Sequence, residues 1–214
     1  MPTCFPGTRI ALTTSYTSHH KKVRNDLPMA TSTTTSRLTG PSADSAGTGH
    51  SATVHAYDVG LLLIRLALGL TMAAHGAQKL FGWFGGGGIT GTGQFFTMSG
   101  YPSGETMAVV AGLSELLGGL GIAAGLLTPL AGAAVVGTLV NALAVKWGGG
   151  FFAPQGVEYE LLLAAAGAGI ALTGPGRYAV DRFLPVLRTH RLAYGTAAVA
   201  VGLLLSVPFL FLRK

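Results

Sequence analysis

Polar and apolar positions divide the chain near residue 56. Before it, Ser and Thr dominate, with scattered Pro and Gly and almost no apolar clustering. After it come five apolar runs, over residues 59–79, 107–127, 130–146, 157–173 and 192–212. At about 1.5 Å of rise per residue these match the span of a bilayer. The third and fourth are short, which a tight bundle or local thinning accommodates. The pattern predicts an all-α membrane protein. A four-helix transmembrane bundle over residues 56–187 is followed by an additional C-terminal transmembrane helix over 188–214 and preceded by a disordered Ser/Thr-rich tail over 1–55. The tail lacks the apolar core of a secretory signal peptide, and Met29 offers an alternative start for the chain. Thr128-Pro129 predicts a tight turn that makes the second and third spans antiparallel neighbours. The connections 80–106 and 147–156 are longer and rich in Gly and aromatics.

Composition sharpens the class. Only 10% of the residues are charged and 49% are hydrophobic, against about 25% charged in an ordinary soluble domain. The net charge of +6 is concentrated in the tail (Arg9, Lys21, Lys22, Arg24, Arg37) and in one loop, where Arg177, Arg182, Arg188 and Arg191 crowd together. That placement carries topology rather than a nucleic-acid groove, so no nucleic-acid partner is expected. The Arg-rich loop, residues 174–191, belongs in the cytoplasm. Counting back through four spans puts the amino terminus inside, and counting forward puts the carboxyl end outside. Arg213-Lys214 mildly opposes that orientation. The lipid bilayer is thus the first partner, and the protein is a multi-pass plasma-membrane protein.

Cys4 is the single cysteine, so neither an intramolecular disulfide nor a CxxC redox pair can form. His75 is the one histidine within an apolar run, whereas a bis-histidine haem needs two. Redox work would therefore require a bound cofactor, a quinone or a partner protein, and no metal site is expected. Gly91-Thr92-Gly93 follows no strand and makes no dinucleotide fold.

What stands out chemically is the set of ionisable groups inside the apolar runs. A charge at bilayer depth costs roughly 2.5–3.5 kcal/mol on insertion scales, so such side chains face protein or a wet cavity. Helical periodicity places Arg65, Met72, His75 and Lys79 on one face, within about 80° of one another. With the topology above, His75, Lys79, Glu115, Asn141, Lys146, Glu158 and Glu160 fall in the outer half. Glu115, among Gly112-Leu113-Ser114 and Leu116-Leu117-Gly118, requires a partner, with Lys79, His75 and Arg65 as candidates. One reading is an ion pair that fixes helix packing. The other is a proton relay with His75, since imidazole exchanges protons around neutral pH. Asn141 fits an interhelical hydrogen bond or a pocket wall, and Glu160 faces either the headgroups or the bundle. Phe81-Gly82-Trp83-Phe84 reads as an interfacial aromatic belt, or as a lid in which Trp83 and Phe84 flank a flat ring. Small residues, among them the Gly121–Gly125 GxxxG, predict close helix packing.

A faint internal echo runs through the bundle. Lys79 and Trp83 precede a glycine run, as do Lys146 and Trp147, and each set is followed by a Glu-bearing inward helix. The lysine-to-tryptophan spacing differs between the two. A parallel two-plus-two repeat would place a site at its interface.

The chain resembles the DoxX family of small bacterial membrane proteins. The matching stretches run from Leu63 to Gly69 (LIRLALG), Ala74 to Phe84 (AHGAQKLFGWF) and Leu113 to Gly119 (LSELLGG). Further matches are Gly156-Val157-Glu158 and Gly174-Pro175-Gly176-Arg177 through Asp181. Arg65, His75, Lys79, Glu115 and Glu158 fall within these stretches. Ala179 stands where a serine is expected, and the tail and fifth helix exceed the family core. The resemblance implies a four-helix membrane bundle and a link to thiosulfate:quinone oxidoreduction. It also implies an oxidant-defence assembly with a sulfurtransferase and a superoxide dismutase as soluble partners.

Three functional readings follow. The first is an oxidoreductase component in which His75 and Glu115 handle protons. In it Arg65, Lys79, Asn141, Lys146 and Glu158, with Trp83 and Phe84, bind substrate or quinone. The second is a non-catalytic scaffold for soluble redox enzymes, and the third a small-solute carrier; any of them is compatible with an oligomer. A one-ended pocket, a fully paired interior or a continuous polar path would distinguish them. The orientation is open to a direct check. In a Cys4→Ser background, Gly150→Cys is expected to label from outside intact cells and Thr189→Cys is not; the opposite pattern would invert every depth assignment.

Overall fold

The computed structural model describes residues 44–152, 154–185 and 190–214, with side chains from residue 53 onward. The tail over residues 1–43, including Cys4 and Met29, lies outside the described residues. Six α-helices and three short 3-10 turns account for the regular structure, with no strand among the described residues. The helices are α1 (Asp44–Phe81), α2 (Gly88–Met98), α3 (Gly104–Ala124), α4 (Thr128–Lys146), α5 (Glu158–Thr173) and α6 (Leu192–Leu212). Among the described residues, four segments are long and apolar enough to cross a membrane: Thr53–Phe81, Gly104–Ala124, Thr128–Gly149 and Leu192–Leu212. The fold is all-α, and the protein is a multi-pass membrane protein.

Three departures from the expected layout have physical causes. Helix α1 starts at Asp44, within the segment expected to be disordered. The stretch ahead of the apolar run is held by tertiary bonds. His55 Nδ1 and Tyr178 Oη are 3.1 Å apart, and Asp58 Oδ1 accepts the Arg177 N–H at 3.0 Å. The connection 80–106 contains α2, although its glycines disfavour helix. Gly93 there lies so close to α3 that an added Cβ would sit 2.7 Å from Glu105 Cγ. The fourth expected span is α5, with 16 residues. At roughly 24 Å it falls short of the hydrocarbon thickness, so four of the five expected spans, not five, are long and apolar enough to cross among the described residues.

Helices α1, α3, α4 and α5 neighbour one another in chain order, with α5 returning to α1 and α6 packed on α4 and α5. The core between them is apolar: Leu68, Met72, Ile122, Val135, Leu139 and Ile170 are buried together. The most extensive contact joins α1 to α3, through two glycines on each helix spaced seven residues apart. A Cβ at Gly69 would lie 2.6 Å from Gly119 O, and one at Gly76 would lie 2.6 Å from Gly112 O. Backbones approach this closely where a glycine on one helix leaves no Cβ at the crossing, as small-residue contacts in membranes allow. The Gly121–Gly125 GxxxG does not form this contact. Gly125 ends α3 in the left-handed region, at φ 67, where glycine carries no Cβ penalty. The turn into α4 is therefore Gly125–Leu127, and Pro129 sits in the first turn of the next helix, where its missing N–H has no intrahelical role.

Gly76→Val is expected to separate α1 from α3, with a melting temperature in detergent lowered by 10 °C or more, or with loss of folded protein. Gly169→Ala, where nothing lies within 4 Å of the added Cβ, is expected to stay at or slightly above wild type. An alanine gains up to about 1 kcal/mol in helix propensity over glycine.

Candidate functional site

The polar side chains of the bundle collect at its two ends. At one end Arg65, 1% exposed, lies against the C-terminus of α3. Its Nε donates to Ile122 O at 2.9 Å and its Nη2 to Ala123 O at 2.9 Å. Nη1 donates to Pro175 O and Tyr178 O at 2.6 and 2.8 Å. The last carbonyls of a helix lack intrahelical donors and carry its negative dipole end, so a guanidinium there satisfies both. Beside it Asp181, 2% exposed, reaches across from the Arg-rich loop to the start of α4. Its carboxylate accepts the Leu127 and Thr128 N–H groups at 2.7 and 3.0 Å, and the Thr128 hydroxyl at 2.8 Å. Asp181 is thus a helix cap supplied from 53 residues away. It also anchors Leu127, a leucine held at φ 48, a conformation L residues adopt rarely.

The other end holds the chemistry-bearing groups. Lys79 Nζ lies 2.6 Å from Glu115 Oε2, the Glu115 side chain being 7% exposed and that of Lys79 25%. The ion pair follows from the glycine contact: a Cβ on Gly112, one turn before Glu115, would be 3.3 Å from Lys79 Cβ. One turn earlier on α1, His75 is bonded on both ring nitrogens, Nδ1 with Gln78 Oε1 at 3.1 Å and Nε2 with Tyr159 Oη at 3.2 Å. On the far side, Lys146 Nζ lies 2.6 Å from Glu160 Oε1, with Glu160 8% exposed at the side chain. Glu158 opens α5 in the same first turn.

Trp83 and Phe84 form part of a 3-10 turn after α1 and are largely exposed, the Trp83 ring tilted against Phe81 and edge-on to Phe84. Trp147, Phe151 and Phe152 are exposed after α4. An aromatic rim therefore surrounds this end, as expected of an interfacial belt.

The residues picked out in the sequence are divided by the fold. His75, Lys79 and Glu115 are brought together, and His75–Tyr159 links them to the helix that carries Glu158 and Glu160. Arg65 belongs to the opposite end, 14 residues or roughly 21 Å along α1 from Lys79, with its donors engaged by carbonyls. Periodicity gave it the right face but could not give its depth partner. Asn141 faces α6 instead. Its Oδ1 accepts from Tyr101 Oη at 3.3 Å, and its Nδ2 donates to Gly137 O and Ser206 O at 3.1 and 3.4 Å. These residues line a mostly apolar cleft of about 320 Å³ between α3, α4 and α6. Burial raises the pKa of the Tyr101 phenol above the usual tyrosine value, with nearby Arg213 opposing. Tyr159 and Gln78 were not anticipated; the available signals were the i, i+3 spacing of Gln78 from His75 and an aromatic between two glutamates.

Because Glu115 pairs with a lysine at the same depth, Glu115→Leu strands the Lys79 ammonium. Losing one member of a buried pair costs about 3–5 kcal/mol, and the lower end is expected here because a quarter of Lys79 is exposed. Glu115→Gln should cost less, and Asp181→Ala about 1–2 kcal/mol through the lost cap. Thermal unfolding in detergent orders the three variants; an undiminished Glu115→Leu would show the pair to be unimportant for folding.

The DoxX family model matches residues 60–147, from the apolar part of α1 to the end of α4. The chain is also 35% identical over 129 residues to the "Putative oxidoreductase CatD" of Bacillus subtilis (strain 168), covering 60% of this chain and 89% of that protein. No solved structure matches the chain. With the LIRLALG, AHGAQKLFGWF and LSELLGG stretches supplying the α1–α3 contact and its Lys79–Glu115 pair, the chain belongs to the DoxX family.

Proposed function

We propose that this protein is the membrane component of a quinone-linked oxidoreductase system, acting on reduced sulfur compounds such as thiosulfate or in oxidant defence, with its chemistry at the tryptophan-rimmed end of the bundle. The observation that carries the reading is His75 bonded to Tyr159, one helical turn from the Lys79–Glu115 pair, at one end of an apolar core that separates it from Arg65 and Asp181. The name of the Bacillus relative, an oxidoreductase, supports the reaction class. The positive-inside rule applied to the basic loop supports an orientation with this end outside the plasma membrane and the amino terminus in the cytoplasm.

The residues suit a flat ring with polar oxygens. Lys79 gives one of its three N–H donors to Glu115, which leaves two for a carbonyl or an anion. Trp83 and Phe84 offer exposed aromatic faces. Reducing a quinone takes two electrons and two protons; oxidative joining of two thiosulfates releases two electrons and no protons. Protons must therefore be delivered, and His75, held between Gln78 and Tyr159, is placed to pass them with Glu115 as the neighbouring carboxylate. Arg65 we assign to holding the far end of α3.

The paired state of the polar groups favours a second reading, a scaffold that recruits soluble redox enzymes. A carrier is disfavoured by the apolar core that separates the two polar ends.

Reconstitution in liposomes separates these readings. With thiosulfate or sulfite as donor and a short-chain quinone as acceptor, wild type is expected to turn over. Folded Glu115→Gln should lose about 100-fold or more, the usual range for a positioned acid or base. A folded, fully active Glu115→Leu would overturn the proton role, and folded wild type without turnover would favour the scaffold.

A further inference from the structure

The two lysine–glutamate pairs repeat one another. In each, a lysine near the end of an outward-running helix, followed by a tryptophan-bearing 3-10 turn, reaches a buried glutamate on the next long helix, at 2.6 Å in both cases. At the glutamate they differ. Glu160 is 6% exposed, and its Oε2 is buried with no hydrogen-bond partner among the described residues. A buried carboxylate oxygen without a donor costs on the order of 1–3 kcal/mol or more, and such an atom calls for an explanation.

We propose that Glu160 Oε2 is the acceptor for the hydroxyl of a hydroxylated aromatic ligand, making Lys146–Glu160 the second half of the site. This rests on the reading of the tryptophan-rimmed end given above and names the reduced, hydroxyl-bearing form as the species held there. An O–H donor suits this oxygen better than a cationic amine, because the Lys146 ammonium, 2.6 Å from Oε1, already balances the carboxylate and repels a second positive charge. The aromatic rim of Trp83, Trp147, Phe151 and Phe152 suits a flat ring. Lys146, 38% exposed at its side chain, holds Oε1 and leaves Oε2 to the ligand. Tyr159, adjacent to Glu160 and bonded to His75, joins this half to the Lys79–Glu115 half.

The test measures binding of a short-chain hydroquinone, its dimethyl ether and the matching quinone to the purified full chain in detergent, by calorimetry or thermal shift. Wild type is expected to bind the hydroquinone about 10-fold or more tightly than the dimethyl ether, which keeps the ring and lacks the donor. Glu160→Gln turns an amide N–H toward the ligand and should lose the same 10-fold for hydroquinone, while its quinone affinity stays within about twofold. The comparison with the ether needs no variant and stands even if Glu160→Gln fails to fold. Equal affinity for hydroquinone and ether, or for hydroquinone in wild type and a folded Glu160→Gln, would overturn the role of Glu160 and leave the quinone reading intact. Wild type that binds neither quinone nor hydroquinone would overturn the quinone reading and this proposal together.

Discussion

Everything at the tryptophan-rimmed end depends on how closely α1 and α3 approach. With Gly69 and Gly76 set against the α3 backbone at Gly119 and Gly112, the two backbones touch at both crossings. Such a contact fixes both the distance and the register of the helices. Lys79 then has one place to go, the carboxylate of Glu115, one turn from Gly112. In lipid the hydrophobic effect gives no reward for bringing helices together, so van der Waals contact between smooth surfaces and a few polar bonds must suffice. The ion pair and the glycines support one another: the contact places the charges, and the pair resists sliding.

The opposite end uses a different device for the same purpose. Arg65 and Asp181 interact mainly with helix termini, Arg65 with the carbonyls ending α3 and Asp181 with the amides opening α4. Both ends of the tight α3–α4 turn are thus satisfied by side chains from elsewhere in the chain, and the Arg-rich loop is tied down through Pro175 and Tyr178. The C-terminal end of α6 repeats the motif, with Arg213 Nη1 donating to Ala144 O near the end of α4 and Nε to Ser99 O. Buried backbone groups cannot be left without partners in a membrane, and three charged side chains meet that requirement here. They leave the middle of the bundle to apolar packing and confine the reactive groups to one end.

The family model covers α1 to α4, which contains the whole Lys79–Glu115 half and Lys146. Glu160, Tyr159 and α6 lie beyond it. The half of the cluster inside the match is the fully paired one, and the half beyond it carries the unpartnered Glu160 oxygen. The α6 helix closes the apolar cleft at Asn141 and Tyr101 and supplies Ser206 O to the Asn141 amide.

The sequence alone determined the class and the rough length of each helix, because apolar runs of bilayer length admit few other folds. It also determined that Glu115 needed a cationic partner, since a lone carboxylate at that depth is too costly, and it marked the Lys–Trp–Gly echo. It could not say that Lys79 was the partner, that Arg65 served the other end or that Asn141 faced α6. Periodicity specifies a face but not the neighbour against which the face packs. The α2 helix and the start of α1 were likewise hidden, because glycines and short polar side chains have weak local preferences that tertiary contacts override. The cap from Asp181 and the unpartnered Glu160 oxygen exist only in three dimensions: each depends on atoms from segments distant in the chain, and only packing brings them within, or leaves them out of, hydrogen-bonding reach.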